Sequence, residues 1–224
     1  MIIVPVTRRF LKLFLVSSFF LLGLELATAE HAPPPATAAS TYPAFDAHAE
    51  EHVTIAADPY NTKDKASCFR LDYLKLGFLP IRIIVTNDGD KPISLEQARI
   101  NFITADGGKI AAAEPDDVER RATNLKNPSN GVRLPIPGLT GKPKSKDPKI
   151  EADFHEFEYQ AIVVEPHTTR AGFLFYDIDG LNNPLKGAKL YLRRLQSADG
   201  KDLFYFEIPF DKYLAGSAET KKSN

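Results

Sequence analysis

The fold is indicated most clearly by the stretch Leu79-Pro80-Ile81-Arg82-Ile83-Ile84-Val85-Thr86, which Asn87-Asp88-Gly89-Asp90 follows at once. The first stretch is rich in β-branched residues, which favour strands because they pack well on a pleated surface. The second is a cluster of turn-forming residues, which ends the strand. Pro80 has no N–H to donate and should therefore lie at the start of the strand. The sequence thus predicts a strand over residues 79–86.

A two-residue periodicity recurs on both sides of this strand. We predict further strands at residues 52–57, 98–105, 109–113, 157–164, 169–176, 188–195 and 203–210. The turn Asp106-Gly107-Gly108 and the turn at residues 197–200 each join two neighbouring strands into a hairpin. About eight strands at such spacing, without long helices between them, indicate a mainly β protein with an antiparallel sandwich.

Two segments break the strand pattern. Residues 115–121 begin with a proline, carry acids early and arginines late, and predict one short helix with i,i+4 pairs Asp116/Arg120 and Asp117/Arg121. Residues 122–148 contain five prolines and three glycines without a sustained apolar period. They predict a long loop, and loops of that length are commonly functional or mobile.

The first thirty residues have the layout of an export signal. A positive cluster at Arg8, Arg9 and Lys12 overlaps the apolar run Phe10–Leu24, and the small-x-small triplet Ala27-Thr28-Ala29 follows. The run is roughly 15 residues long, whereas a helix that spans a bilayer needs about 20 apolar residues. We therefore predict that residues 1–29 are a cleavable signal peptide, with an uncleaved membrane anchor as the alternative.

The remaining chain divides into three parts. Residues 30–51 are rich in proline and alanine and predict a disordered lead before the domain. Residues 52–214 hold the strand pattern and predict one folded domain, and residues 215–224 predict a flexible tail. This organisation implies an exported protein, periplasmic or extracellular, with no transmembrane span after cleavage.

The composition bears on two questions, whether the protein binds nucleic acid and whether it contains a disulfide. The 224 residues include 28 basic and 29 acidic side chains, a net charge of −1, without the positive excess that a phosphate backbone attracts. We therefore expect no nucleic-acid partner.

Cys68 is the only cysteine, so an internal disulfide is impossible. We interpret it as a small buried apolar residue, with a pairing or redox thiol as the alternative.

Two runs contain possible metal ligands. His155 lies in the run Asp153–Glu158, which offers an imidazole and carboxylates, although a solvated strand entrance explains the same residues. The loop Asp177–Asn183 clusters oxygen donors, but it lacks the glycine position and the closing glutamate of an EF-hand. Turn chemistry accounts for that loop. We therefore predict no metal-binding residues and no cofactor.

No catalytic pattern stands out. The chain has no Gly-x-Ser-x-Gly elbow, and Glu114, Asp116 and Asp117 would serve a glycosidase only if they faced each other across a cleft. We predict no catalytic or cofactor-binding residues. Tyrosines in predicted strands are a different kind of candidate, because a tyrosine-bearing sheet face can bind a partner, or the rings can simply cover the core. These tyrosines are Tyr159, Tyr176, Tyr191 and Tyr205.

Three segments carry a resemblance to known proteins. Phe69-Arg70-Leu71-Asp72, with Gly77–Thr86 and Lys91-Pro92-Ile93, resembles a recurrent opening in exported bacterial proteins of unknown function. The run from Val164 through Gly172 to Phe175, and the hairpin from Asp199 to Pro209, are similar to strands of bacterial secreted immunoglobulin-like domains. This resemblance implies an immunoglobulin-like sandwich over roughly residues 52–214, and it implies no catalytic residues.

These observations lead to one expected function and two alternatives. We expect an exported, non-enzymatic β-sandwich that binds a protein or another component of the cell envelope. The first alternative is a small-ligand or metal carrier in which the loop at residues 122–150 covers one end of the sandwich as a lid. The weaker alternative is a hydrolase that uses His155, Glu156 and Glu114.

Overall fold

Three antiparallel sheets and three α-helices make up the part of the chain that the computed structural model describes, residues 31–126 and 147–222, with side chains as far as residue 216. The strands are β1 (Phe45–His48), β2 (Val53–Pro59), β3 (Phe78–Asn87), β4 (Ile93–Ser94), β5 (Arg99–Ile103), β6 (Lys109–Ala111), β7 (Val163–Val164), β8 (Thr168–Asp177), β9 (Lys189–Arg193), β10 (Gln196–Ser197) and β11 (Phe206–Pro209). The helices are α1 (Pro115–Lys126), α2 (Pro148–Phe157) and α3 (Asp211–Lys222), and 3-10 turns lie at Ala39–Thr41 and Lys65–Cys68.

Two four-stranded sheets pack against each other, which confirms the predicted mainly β, antiparallel fold. Sheet A has the order β1-β2-β3-β8 and sheet C the order β11-β9-β5-β6, while the small sheet B (β10-β4-β7) lies beside them. The main core combines buried side chains of both large sheets, including Ile81 and Ile83 from β3 and Leu190, Leu192 and Phe206 from sheet C. This shared core gives the two large sheets a sandwich-like packing.

Strand β3 is buried along its whole length, on both faces of sheet A. One face contributes to the core shared with sheet C. The other is covered at Phe78 by a second, aromatic core and at Ile84 by Ala39 of the N-terminal segment. That second core brings together Phe69, Phe154 and Phe157 with Phe173 and Phe175 of β8. The extra layer explains why residues 79–86 read as a nearly continuous apolar run and not as an alternation of apolar and polar residues.

The predicted strand at residues 157–164 is wrong. The chain is helical to Phe157, and only Val163–Val164 forms a strand. The helix α2 begins at Pro148, and the carboxylate of Asp147 accepts a hydrogen bond from the N–H of Lys149 at 3.0 Å. Buried side chains at Ile150, Phe154 and Phe157 then follow helical spacing, which overrides the alternation beyond residue 157.

The predicted disordered lead is also wrong over much of residues 30–51. The 3-10 turn at Ala39–Thr41 and strand β1 lie within it, and Ala39 and Ala44 are fully buried. The N–H of Ala39 donates to Oγ1 of Thr86 at 2.9 Å, and the Arg82 guanidinium donates to the carbonyl of Pro34. Folded structure therefore begins well before residue 52, because small side chains let this segment lie flat on sheet A.

The flexible tail predicted from residue 215 is replaced by a helix. Helix α3 runs from Asp211 to Lys222. It is attached to the sandwich by Tyr213, whose hydroxyl donates to the carbonyl of Pro59 at 3.1 Å and to Oδ1 of Asn61 at 2.8 Å. The residues in these contacts are more than 150 positions apart in the sequence. No local sequence pattern could therefore have predicted them.

The first helix and the long loop are confirmed only in part. Helix α1 extends to Lys126, so the predicted loop at residues 122–148 is helical at both ends, and residues 127–146 lie outside the described residues. The predicted i,i+4 pairs are wrong. Asp117 pairs with Arg120, while Arg121 turns toward the loop after β8. The predicted signal peptide, residues 1–29, also lies outside the described residues.

Candidate functional site

The outer face of sheet C is the surface turned away from the shared core. Along β9, Leu190 and Leu192 are fully buried in that core, so the intervening Lys189, Tyr191 and Arg193 point outward. The same alternation places further side chains on this face. We call this surface the outer face and define it by Arg99, Lys109, Lys189, Tyr191, Arg193, Tyr205 and Glu207.

Positive charge dominates the outer face. Arg99 of β5 lies directly opposite Arg193 of β9 in the strand register. Within the described ranges, neither guanidinium forms an ion pair, and Arg99 donates only to the neighbouring carbonyl of Ala98. Like charges directly opposite each other destabilise a sheet, so the fold gains nothing from this pair. The defining residues include four cations and one carboxylate, Glu207, whose ion pair with Lys189 spans 2.9 Å.

Aromatic side chains border the charged part of the outer face. The rings of Tyr191 and Tyr205 lie 5.5 Å apart between centroids, at an angle of 39°. Tyr205 is 55% exposed. The adjacent Phe204 is 72% exposed but lies at the end of the sandwich, beside Glu51. A pair of tyrosine rings beside unpaired arginines is a composition typical of protein-binding surfaces.

The four tyrosines singled out from the sequence divide into two pairs. Tyr191 and Tyr205 lie on the outer face, but Tyr159 and Tyr176 are directed into the protein, and their buried hydroxyls have no hydrogen-bond partner among the described residues. Burial raises the pKa of both hydroxyls far above the usual range, so they stay protonated. Only the first pair is available to a partner.

The run Asp153–Glu158 forms an ion-pair network and does not form the metal site considered above. Asp153 is fully buried, and its two oxygens accept from the backbone N–H of Arg70 at 3.1 and 3.0 Å, while the Arg70 guanidinium and the Tyr73 hydroxyl donate to one oxygen each. His155 is exposed on the opposite side of α2. Among the described residues, no group of three side chains can hold a metal ion.

Two carboxylates of the loop Asp177–Asn183 form ion pairs with an arginine of the protein. The guanidinium of Arg121 lies 2.6 Å from Asp177 and 2.9 Å from Asp179. A positive charge thus occupies the place beside these carboxylates where a calcium ion would bind. The arginine comes from helix α1, 56 residues earlier in the chain.

The groups of the alternative hydrolase do not form a reactive cluster with one another. Glu156 accepts two hydrogen bonds of 2.8 Å from Arg70. Glu114 lies elsewhere, beside Glu158, whose pKa is raised first by burial and then by the charge of Glu114. Cys68 is half-buried, and burial raises the pKa of its thiol, which lowers the fraction of reactive thiolate.

A cavity of about 620 Å³ opens at one end of the sandwich, beside helix α3. Its walls include Leu74, Leu79 and Leu185, and its rim carries Lys186. Among the described residues, none of those that line the cavity belongs to residues 122–150, the predicted lid. The central part of that segment lies outside the described residues, so the predicted lid stays a prediction.

No protein-family model matches this chain, and no curated protein is significantly similar to it. The immunoglobulin-like resemblance therefore stays a prediction, beside a mainly β architecture that the structure shows. Within the described ranges, none of the helices combines the length and the apolar character needed to cross a bilayer.

Proposed function

We propose that this protein is an exported, non-enzymatic binding module, and that its outer face binds an acidic surface of a partner protein in the cell envelope. The observation that carries the proposal is the unpaired arginine pair, Arg99 and Arg193, beside the exposed rings of Tyr191 and Tyr205. Export is supported by the signal-like layout of residues 1–29.

Charge complementarity determines the kind of partner. The chain as a whole has a net charge of −1, yet the outer face concentrates cations that the described residues leave mostly unpaired. A surface of that sign attracts acidic partners and increases their rate of association. Arginine and tyrosine are also the residues that most often contribute large binding energies at protein interfaces.

The test compares two charge-reversal variants in co-purification of the mature protein with envelope extract. The double substitution Arg99→Glu and Arg193→Glu should lower the recovery of a specific partner at least tenfold. The control, Lys75→Glu with Lys149→Glu, makes the same charge change away from sheet C and should leave recovery unchanged. Tyr205→Ser should weaken binding without changing the net charge.

Salt dependence provides a second measurement. Recovery of the partner by the wild-type protein should fall as salt rises from about 0.05 to about 0.5 M, because ions screen exposed charges beyond the Debye length. Equal recovery by the outer-face variant and the wild type would contradict the proposal. So would an equal loss in the outer-face variant and in the control.

A further inference from the structure

The cavity beside α3 is built on the main core of the sandwich. Leu79 at the start of β3 and Leu185 before β9 belong to that core and are 1% and 4% exposed. Leu74, Ile178 and Leu214 pack against the same core and complete the apolar wall. The cavity therefore leads from the surface to buried apolar side chains of the main core.

The cavity is an open cleft with the volume of a ligand site. Small-molecule sites measure about 300–1,000 Å³. At about 620 Å³, this cavity has the size of a ligand site. A second cavity, of about 570 Å³ at the opposite end of the sandwich, also has apolar walls, at Ile93 and Leu203, but charged side chains of both signs surround it.

Polar groups at the rim of the first cavity are donors. Lys186 is exposed, and within the described ranges it forms no ion pair. Asn61 already accepts the Tyr213 hydroxyl through Oδ1, which leaves its amide N–H groups directed elsewhere. The side chain of Asn183 lies at the same rim. A cation with amides beside it complements a negatively charged head group.

We propose that this cavity binds a single-chain amphiphile, with its aliphatic tail against Leu79 and Leu185 and its carboxylate head at Lys186. An apolar wall and a cationic rim together select this class, since a fully polar anion would leave the leucines without contacts and a neutral hydrocarbon would not use the lysine. The site is separate from the outer face of sheet C and does not depend on the proposed partner protein.

Binding of the aliphatic tail is tested by calorimetric titration of the mature protein. The ligands are decanoate, dodecanoate and tetradecanoate, each below its critical micelle concentration. Each added methylene should tighten binding about fourfold, since a buried CH₂ contributes a constant increment of free energy. No measurable binding, or an affinity independent of chain length, would overturn the proposal. Leu214→Trp should block the cavity and abolish binding, with Leu74→Trp as the second blocking variant if the first does not fold.

The head group is tested with one substitution and two further probes. Lys186→Glu should weaken the binding of dodecanoate at least tenfold and leave that of dodecanol unchanged. The matched control, Lys149→Glu, reverses an exposed lysine of α2 that does not line the cavity, and it should leave both affinities unchanged. If dodecanol or dodecyltrimethylammonium binds the wild-type protein as tightly as dodecanoate does, the carboxylate is not recognised and the proposal fails.

Discussion

The ion-pair network around Asp153 allows a prediction that compares two carboxylates bound to the same arginine. Arg70 contacts two carboxylates of helix α2, namely Asp153, whose side chain is 0% exposed, and Glu156, whose side chain is 38% exposed. Substituting each carboxylate by its amide, as Asp153→Asn and Glu156→Gln, changes charge at nearly constant shape. We expect very different losses of stability from these two chemically equivalent changes.

The magnitude follows from burial. Both oxygens of Asp153 accept from the one backbone N–H of Arg70, and the Arg70 guanidinium and the Tyr73 hydroxyl donate to one oxygen each, all between 3.0 and 3.1 Å. Burial raises the pKa of Tyr73, so its hydroxyl remains a donor that needs an acceptor. An amide at residue 153 turns its own N–H groups toward some of these donors. Removing one partner of a buried pair costs about 3–5 kcal/mol, whereas an exposed pair contributes about 1 kcal/mol or less.

Urea unfolding followed by far-ultraviolet circular dichroism measures both values, since the chain has no tryptophan to serve as a probe. Asp153→Asn should lower the unfolding free energy by about 3 kcal/mol and the melting temperature by about 6–12 °C, as expected for a domain of this size. Glu156→Gln should lower the free energy by less than about 1 kcal/mol. Similar losses in the two variants would refute the argument that burial determines the strength of this network.

Three further predictions concern single residues. Gly172→Ala should destabilise the protein by about 1–3 kcal/mol, because its Cβ would lie 2.7 Å from the backbone N of Tyr159. By contrast, Gly216→Ala within helix α3 should stabilise it by about 1 kcal/mol, since among the described residues its Cβ meets only Pro43, at 3.6 Å. Chemical denaturation would show the opposite signs, and equal signs would contradict the account. Burial, reinforced by the charge of Glu114, raises the pKa of Glu158 above its ordinary 4.5. The unfolded state then loses this proton at lower pH than the folded state, so the charged form opposes folding and stability falls as pH rises through this range. Glu158→Gln should therefore stabilise the protein at pH 7, by less than about 1 kcal/mol because the side chain is part-exposed, and melting curves at about pH 3.5 should coincide with the wild type.

Strand positions were predictable where local chemistry is unambiguous. The continuous apolar run before Asn87 predicts a strand, and β3 (Phe78–Asn87) is that strand with one residue added at each end. The hairpin of β5 and β6 and the pairing of β9 with β11 also follow from alternation and turn residues. Both signals depend only on neighbouring residues, because side chains alternate between the two faces of a strand whatever surrounds it.

Other elements were not predictable because more than one period fits their residues. Phe157 begins an alternating run, yet it also continues the helical spacing of Ile150 and Phe154, and packing in the aromatic core selects the helix. The proline-rich lead lacks a strong period of its own. It becomes ordered because sheet A presents a surface on which Ala39 is buried.

The candidate sites show the same division. The sequence by itself determined which side chains are available: a single cysteine, a nearly neutral charge balance and tyrosines within strand-like runs. Only the tertiary structure decided that Arg121 neutralises Asp177, that Arg70 binds Asp153 across 83 residues, and that Arg99 faces Arg193 without a carboxylate from the described residues. The physical reason is that electrostatic pairing depends on distance in space, and the chain topology sets that distance between residues far apart in sequence.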